Sequence, residues 1–569
     1  MYDTREFPES RLNAAHFLAG QSGFVSRKFK KLPENSPIAI NPPAFDVLAL
    51  LARYSTVGFV ALLLLATVRI VITYDVFNHT IDEPAHIAAG MEWLDKHAYT
   101  YETQHPPLAR VASAIGPYLD GGHTSGRTGI YYEGAAILYG PGHYDRTLTL
   151  ARLGILPFFW IAAIVVYLWS RRTLGAGIAL LAALAFTGMP AILGHAGVAT
   201  TDMALTAFLL ATMFAAAIWA ESPTIVHSLF FGLAGGLAVL SKFSALPFFG
   251  LAAIIAILWW WFQKRPTVSE LTTIAAKRAL PLLIAALICA IVIWSGYRFS
   301  FANGRPAPEF FDGIHSVSEH NRAGHISYLL GETSDVGFWY YYPVALIFKT
   351  PLGLLLLSLV GFVLFWREGR TNAGLRIAAS LAAALLLIGM WSSINIGTRH
   401  ILPIFAVIAI FAAWTLARAL ESRTPWIKWT AIVLFAWAIL APAIQHPDYL
   451  AYFNELALGK PEKILVDSDL DWGQDMKRLS AKLHEVGAQT VTFNPFIIAY
   501  LEKVHGFPPI QQSDPIYPSA GWNAVSTTVL KLNRLGLDPK DKARPWPETV
   551  PNQQRVGKGI LLYYFQPRP

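Results

Sequence analysis

The 569-residue chain is poor in charged residues and has a single cysteine. Only 14% of its residues are charged, whereas soluble globular domains carry about 25%. Cys289 lies in an apolar run, so no intrachain disulfide can form, and we expect neither a cysteine metal site nor thiol redox chemistry. Residues 1–40 lack the pattern of a secretory signal peptide. These shortages argue against a secreted disulfide-rich protein and against an ordinary soluble domain.

Apolar side chains, in contrast, are abundant. Hydrophobic residues make up 54% of the chain, its mean hydropathy is +0.41, and it contains 18 Trp, 22 Tyr and 34 Phe. This composition is typical of a polytopic membrane protein. Because a spanning helix needs about 20 apolar residues, we predict eleven spans: about 46–74, 148–170, 174–194, 199–219, 225–241, 244–263, 279–298, 338–366, 374–394, 400–419 and 426–444.

The distribution of basic residues predicts the orientation of these spans. Lys and Arg cluster in the short loops on one side of the eleven segments, which the positive-inside rule makes cytoplasmic. The net charge of +8 therefore needs no nucleic-acid partner to explain it. The basic clusters are Arg171-Arg172, Lys264-Arg265 with Lys277-Arg278, Arg367 with Arg370 and Arg376, Arg418 with Arg423 and Lys428, and Arg27, Lys28, Lys30 and Lys31 of the N-terminal tail.

This orientation predicts the domain organisation. We expect an α-helical membrane protein whose polar mass lies mostly outside the cytoplasm. Its parts are a cytoplasmic tail, residues 1–45; a transmembrane domain, residues 46–444, with outer loops 75–147 and 299–337; and a small extracytoplasmic α/β domain, residues 445–569.

The first outer loop begins with an unusual carboxylate pair, Asp82-Glu83, in the stretch TIDEPAHIAAGMEWLDKHAY. Apolar residues recur at helical spacing after it, which predicts an amphipathic helix over 82–96 lying in the membrane interface. A purely structural alternative is that Thr80 or Asp82 caps this helix and Glu83 supports its dipole. A second short helix should begin at Pro106-Pro107.

More ionisable residues lie at the predicted outer ends of the spans. Singly, each is explained by an ion pair or by a side chain that reaches the interface, but a charge inside the bilayer costs several kcal/mol unless it meets water, a counter-ion or a ligand. Together they predict a basic pocket beside the carboxylate pair. These residues are His195, Asp202, Lys242, Lys349, Arg399 and His400.

A basic pocket next to a carboxylate suits one kind of chemistry. Lys and Arg bind and stabilise a lipid phosphate as it leaves, while a carboxylate such as Asp82 removes the proton of an attacking hydroxyl. This route requires no cofactor and no metal, although the Asp, Glu and His side chains of the first loop are of a kind that could ligate a divalent ion.

The order of six motifs resembles a known family. DEPAHIAAGMEWL with HPPLARV, then TTD, LSKFSALPF, YYYPVALIFKTPL and GTRHILPI, are similar to motifs of the GT-C membrane glycosyltransferases, over residues 55–490. The likeness is strongest to bacterial members of the protein O-mannosyltransferase family (glycosyltransferase family 39), and aminoarabinose lipid A transferases look like more distant relatives.

The resemblance implies an inverting glycosyltransferase of the bacterial inner membrane. It would move a sugar, a hexose or a pentose, from a polyprenyl-phosphate carrier to a hydroxyl of a protein, lipid or glycan at the outer face. Asp82 matches the catalytic acidic position, Glu83 its neighbour, and Asp202 a second acidic position. Lys242, Lys349 and Arg399 match basic positions that face the lipid phosphate.

Other residues complete the predicted pocket. His105 stands where the lipid A transferases have Lys. This departure leaves two alternatives: a different donor, or a phosphate held mainly by Lys242 and Arg399. The chain has no MIR-type repeat, which argues against a protein acceptor. We assign His105, His400 and Arg110 to the donor phosphate, with His86 and His195 as further pocket residues.

In the tail, KILVDSDLDWGQDMKRLSAKL is predicted to form a short strand, a loop and a helix, and TVTFNPF and GILLYYF are predicted to form further strands. The tail also contains the acidic stretch DSDLDWGQD, residues 467–475. Three interpretations stay open: a helix start with acidic caps, an acceptor contact through Asp471 and Trp472, and a calcium loop. The calcium interpretation is weakened because loop position six is Trp472 and position twelve is Arg478.

Two other classes of function compete with a transferase. A transporter or flippase for lipids or lipid-linked sugars shares the basic pocket but needs paired broken helices and a route through the membrane. A membrane scaffold with a sensory outer domain has no need of Asp82 and Lys349. Loss of sugar transfer in Asp82→Asn with retained lipid binding separates a transferase from a transporter.

Overall fold

The computed structural model describes residues 47–537, 543–551 and 553–566. The predicted cytoplasmic tail, residues 1–45, lies outside them. The helices are α1 (Val47–Arg53), α2 (Ser55–Val71), α3 (Glu83–Asp95), α4 (Pro107–Leu119), α5 (Ile130–Tyr139), α6 (Tyr144–Leu153), α7 (Leu156–Leu174), α8 (Ala176–Gly188), α9 (Pro190–Ala196), α10 (Asp202–Glu221), α11 (Ile225–Ser241), α12 (Ala245–Lys264), α13 (Val268–Gly296), α14 (Pro308–Ala323), α15 (Tyr341–Lys349), α16 (Leu352–Leu364), α17 (Ala373–Trp391), α18 (Ile404–Leu420), α19 (Pro425–Ile444), α20 (Met476–Glu485) and α21 (Thr527–Asn533).

The strands are short. They are β1 (Phe301–Ala302), β2 (Arg305–Pro306), β3 (Ser327–Leu329), β4 (Glu332–Ser334), β5 (Val491–Thr492), β6 (Ile510–Gln511), β7 (Gly521–Ser526), β8 (Gln554–Val556) and β9 (Ile560–Phe565).

The helices confirm a multi-pass membrane protein. Among the described residues, seven helical segments are long and apolar enough to cross a membrane, or nine if each of the bent pairs α1–α2 and α8–α9 is one span. The shorter apolar helices α11 and α18 lie in two further predicted segments. Each of the eleven predicted segments therefore contains an apolar helix, although their lengths are uneven.

Proline explains where two of the predicted spans break. Met189 precedes Pro190 and has an extended backbone (φ −68°, ψ 123°), which ends α8 and starts α9 in a new direction. Thr350 precedes Pro351 and is also extended (φ −87°, ψ 133°), which divides the predicted span 338–366 into α15 and α16. Both breaks lie at the end of the bundle where the ionisable residues gather.

The first outer loop differs from its prediction. Helix α3 does not lie exposed in an interface plane, because every residue from Glu83 to Glu92 is buried. It packs against α4 and α5, where Gly90 and Gly134 permit close contact: an added Cβ would overlap the carbonyl oxygens of Arg110 and Pro84, respectively. The amphipathic pattern did not reveal that neighbouring elements cover the polar face of this helix as well as its apolar face.

The C-terminal region forms the predicted small α/β structure. Its five-stranded sheet has the order β6-β5-β7-β9-β8, parallel among β6, β5 and β7 and antiparallel at β9. The strands predicted in TVTFNPF and GILLYYF correspond to β5 and β9. The short strand predicted at the start of KILVDSDLDWGQDMKRLSAKL is wrong: Pro461–Lys463 and Asp467–Asp469 form 3-10 turns, and residues 464–466 between them are not in a strand.

Candidate active site

A cavity of about 550 Å³ lies at the end of the bundle where α10 begins and α11 ends. Its apolar wall comes from α12, α17 and α14 and includes Leu246, Phe248, Ile388, Trp391 and Val317. Its polar wall includes five of the predicted site residues: Asp82, His105, Lys242, Arg399 and His400. Residues from loops far apart in the sequence therefore meet at one hollow, as the sequence predicted.

Asp82 stands at the entrance to α3 but does not cap it. Its side chain makes no capping hydrogen bond. Instead, its Oδ2 accepts a hydrogen bond from Nη1 of Arg399 at 2.6 Å, and the side chain is 22% exposed. The capping alternative for Asp82 is thus not what the structure shows, and the carboxylate is turned toward the cavity.

Arg399 lies in a 3-10 turn, Thr398–Ile401, just before α18. Its guanidinium carbon is 4.4 Å from the ring centroid of Trp472, which stacks beneath it. One donor, Nε, has no hydrogen-bond partner among the described residues. Arg is suited to a planar oxyanion because its donors form a fixed fork, so this guanidinium has donor capacity beyond its bond to Asp82.

Lys242 follows the last residue of α11 and has an extended backbone (φ −163°, ψ 136°). Its Nζ donates to Oδ1 of the buried Asp202 at 2.7 Å. An ammonium group has three donors, so Asp202 orients Lys242 while leaving further donors for a ligand in the cavity. Asp202 itself does not line the cavity wall.

His105 lines the cavity, whereas Arg110 and His86, which were also predicted to be in the pocket, do not line it. Nδ1 of His105 is 3.2 Å from Oε2 of Glu102, which also accepts a bond from Nη2 of Arg110. Nε of Arg110 donates to Nδ1 of His86 at 3.1 Å. Burial lowers the pKa of His105, so its ring is neutral near pH 7 and offers hydrogen bonds without charge.

Arg110 and His86 therefore need a correction as direct pocket residues. Both are buried and face the interior of the loop, and Arg110 is saturated by Glu102, Tyr99 and His86. Burial alone would raise the pKa of Glu102, but bonds from His105 and Arg110 hold it well below its usual value. The carboxylate stays charged and neutralises Arg110, which makes this group a support for His105.

Glu83, the second member of the carboxylate pair, also requires correction. It is fully buried and away from the cavity, and its two oxygens accept from Nε and Nη2 of Arg152 at 2.8 and 2.9 Å. The amides of Thr80 and Ala199 add bonds of 2.7 and 2.9 Å. Burial would raise the pKa of Glu83, but Arg152 and the amides outweigh it and lower the pKa. Glu83 joins three parts of the chain and does not face a substrate.

Lys349 is not at the cavity either. Its side chain is 3% exposed, and Nζ donates to the carbonyl oxygens of Leu450 and Asp469 at 2.7 and 2.6 Å. The prediction that Lys349 faces a lipid phosphate is therefore corrected. Lys349 is the last residue of α15, and its side chain extends into the C-terminal region. Lys349 fastens that region to the bundle.

The remaining predicted residues are buried and do not line the cavity. His195 packs edge-on against Trp472, with ring centroids 6.1 Å apart. Asp471 accepts a bond of 2.5 Å from Ser526 Oγ, and Trp472 is 1% exposed. Asp471 and Trp472 thus do not form an exposed acceptor contact. The carboxylates of the 467–475 stretch also bond to separate partners rather than converging, unlike a calcium loop.

Sequence reasoning missed several residues that build the site. Arg152 is an arginine within a predicted apolar span, which by itself was a sign of a buried partner. His320 and His325 line the cavity from α14 and the loop after it. Asp469 binds the turn that carries Arg399. His320 and His325 had no local sequence pattern that could have identified them, and the interpretations of the acidic stretch 467–475 did not include this contact of Asp469.

Comparisons with known proteins agree with the class that the motifs indicated. The chain resembles membrane glycosyltransferases of the GT-C type in sequence. No family model matches the chain.

The individual matches are as follows. In sequence, the chain is 27% identical over 301 residues to the undecaprenyl phosphate-alpha-4-amino-4-deoxy-L-arabinose arabinosyl transferase of Erwinia tasmaniensis. The match covers 51% of this chain and 50% of that protein, so it spans about half the length of the curated relative. In structure, the chain is similar to ArnT from Cupriavidus metallidurans bound to undecaprenyl phosphate (TM-score 0.49, 14% identity, 89% of this chain and 97% of that chain). It is also similar to the oligosaccharyltransferase of Archaeoglobus fulgidus (TM-score 0.40, 16% identity, 68% and 56%).

Proposed function

We propose that this protein is a glycosyltransferase that moves a sugar from a polyprenyl-phosphate carrier to an acceptor hydroxyl with inversion at the anomeric carbon. One observation carries the proposal: Asp82, Lys242 and Arg399 line the same cavity. The named relative uses an undecaprenyl-phosphate sugar, which supports a donor of that class here.

The proposed reaction is a single displacement. The acceptor hydroxyl oxygen forms a bond to the anomeric carbon, while the bond from that carbon to the phosphate oxygen breaks. The electron pair leaves with the phosphate, and the hydroxyl proton passes to Asp82. Arg399 bonds to Oδ2 of Asp82, so Oδ1 is the atom assigned to receive the proton.

The cations have a distinct task in this reaction. Negative charge grows on the phosphate as the sugar leaves, and donors already aimed at that position stabilise it without reorganisation. Lys242, oriented by Asp202, and Arg399 both line the cavity and supply these donors. His105 and His400 lie on the same wall and add hydrogen-bonding groups.

The site lies at the end of the bundle opposite the basic loops. Arg171 and Arg172 occupy the last turn of α7 and Lys264 that of α12, whereas α11 ends and α10 begins at the cavity. By the positive-inside rule we infer that the cavity is at the extracytoplasmic face, and the resemblance to bacterial transferases supports a bacterial inner membrane. A lipid-linked donor reaches such a site by diffusion within the bilayer, and the apolar cavity wall formed by α12 and α17 suits its chain.

Removing Lys242 should weaken donor binding. We expect Lys242→Ala to reduce affinity for undecaprenyl phosphate about 10- to 100-fold, because charge-assisted bonds to a phosphate are lost. The variant also leaves Asp202 buried without its counter-ion, which lowers stability. In the double variant Lys242→Ala/Asp202→Asn, stability should recover while affinity stays low. Isothermal calorimetry and thermal unfolding in detergent measure the two quantities. Wild-type affinity in the double variant would contradict the assignment.

Removing Lys349 should lower stability without weakening donor binding. We expect Lys349→Met to lower the thermal unfolding midpoint, because two buried carbonyl groups lose their donor. Affinity for undecaprenyl phosphate should stay within about twofold of wild type in the folded fraction, because Nζ does not reach the cavity. A loss of affinity as large as that of Lys242→Ala would return Lys349 to the phosphate site.

Product analysis tests the proposal as a whole. Purified protein is incubated with undecaprenyl-phosphate pentose or hexose donors and with lipid, glycan and peptide acceptors, and the products are identified by mass spectrometry. The proposal requires release of undecaprenyl phosphate together with one acceptor gaining one sugar mass, with the opposite anomeric configuration. Movement of intact lipid-linked sugar across a liposome membrane, without release of the phosphate, would favour a flippase instead.

A further inference from the structure

Residues 467–475 of the C-terminal region contact the chain beside both members of the Asp82–Arg399 pair. These two residues are far apart in the sequence. Their short distance therefore requires contacts that fix both the chain before Asp82 and the turn that carries Arg399. The 467–475 segment and the residue after it supply those contacts.

One set of contacts holds the chain just before Asp82. The amide of Ile81 donates to the carbonyl oxygen of Trp472 at 3.1 Å. The side chain of Asn78 donates to the carbonyl of Gly473 at 2.8 Å and accepts from the amide of Met476 at 2.7 Å. Asp82 is therefore anchored through its own backbone neighbour.

A second set holds the turn that carries Arg399. The amide and hydroxyl of Thr398 donate to the carboxylate of Asp469 at 3.1 and 2.7 Å, and Ser468 Oγ donates to the carbonyl of Ile396. Gly397 has φ +134°, and an added Cβ would overlap Ser468 Oγ. The segment therefore passes too close to this turn for any side chain at position 397.

Trp472 joins the two sets. Its carbonyl binds the chain before Asp82, while its ring lies 4.4 Å from the guanidinium carbon of Arg399 and is 1% exposed. A cation over an indole face is held most strongly when both are shielded from water. Nη1 of Arg399 bonds to Asp82, and the Trp472 ring lies against the face of the guanidinium, so these two contacts together fix its orientation.

We propose that Trp472 is a positioning residue that aligns the Arg399 guanidinium with Asp82 and the cavity, so that the C-terminal region is an integral part of the active site. This inference rests on the proposed function. Misplacement of a reacting group by about 1 Å can cost on the order of 100-fold in rate. We therefore expect the side chain of Trp472 to affect turnover more than donor binding.

The test compares three variants in full-length protein. Trp472→Leu removes the aromatic face and should lower kcat about 10- to 100-fold, with KM for the undecaprenyl-phosphate sugar changed less than about threefold because Lys242 is intact. Trp472→Phe keeps an aromatic face and should restore most of the lost kcat. Trp546→Leu is the matched control, because Trp546 is also buried in the C-terminal region but packs on Tyr563, away from the pair.

The stoichiometry of undecaprenyl phosphate binding gives the folded fraction and separates a loss of positioning from a loss of protein. If Trp472→Leu does not fold, Trp472→Met replaces it, since Met fills irregular gaps without an aromatic face. The inference is overturned if the folded variant keeps wild-type kcat, or if Phe restores no more activity than Leu or Met. A wild-type protein that transfers no sugar overturns the proposed function itself, and this inference with it.

Discussion

Replacing Asp82 with Asn should abolish sugar transfer while leaving the lipid carrier bound. Asn has the size of Asp but accepts no proton at neutral pH, so the attacking hydroxyl loses its base. Positioned general bases contribute about 100- to 10,000-fold, and we expect a loss of kcat in that range. Affinity for undecaprenyl phosphate should fall little, because Lys242 and Arg399 remain and Arg399 loses a competing carboxylate. Single-turnover transfer and equilibrium binding are the two measurements.

The same loop contains a suitable control for this variant. Asp120 also pairs with an arginine, Arg146, at 2.5 Å, and its side chain is partly buried like that of Asp82 (15% exposed), but this pair does not line the cavity. Asp120→Asn should therefore keep wild-type turnover. If Asp82→Asn transferred sugar as fast as Asp120→Asn, Asp82 would not be the base.

Replacing the neighbouring Glu83 with Gln should damage the fold and not the chemistry alone. The change leaves Arg152 buried with no opposing charge, since both carboxylate oxygens serve its guanidinium. Breaking one partner of a buried pair costs about 3–5 kcal/mol, a large part of the stability of an ordinary domain. We expect a lowered thermal unfolding midpoint and poor yield in detergent.

An exposed pair of the same residue types gives the comparison for Glu83. Glu221 pairs with Arg172 at 2.5 Å, with both side chains about half exposed, and an exposed pair contributes about 0–1 kcal/mol. Glu221→Gln should therefore leave the unfolding midpoint nearly unchanged. An equally small effect of Glu83→Gln would show that Glu83 is not a structural anchor.

The adjacent carboxylates Asp82 and Glu83 show what could and could not be predicted about the site from the sequence. A charged pair directly after a span indicated a polar site at the membrane surface, and the positions of Lys242 and Arg399 at the outer ends of spans indicated that they would face that site. The sequence did not reveal that Asp82 turns toward the cavity while Glu83 turns inward to Arg152. Neighbouring residues on a helix point in different directions, and which direction is buried depends on what packs there.

The incomplete predictions for Lys349 and for residues 467–475 have the same cause. Lys349 was assigned to the phosphate because of its depth in a predicted span, yet its partners are carbonyl groups supplied from the chain after residue 445. The 467–475 stretch carried several local interpretations, and none of them included contact with the turn of Arg399. Helix positions follow from hydropathy, whereas contacts between distant loops depend on tertiary packing that no local pattern encodes.

We propose that one cavity binds the lipid phosphate beside the base that activates the acceptor, and a structure of the protein with undecaprenyl phosphate tests this. We expect phosphate oxygens within hydrogen-bond distance of Lys242 Nζ and the Arg399 guanidinium, with the lipid chain along the wall formed by Leu246, Phe248 and Ile388. A phosphate bound away from Lys242 and Arg399, with the cavity left to solvent, would contradict it.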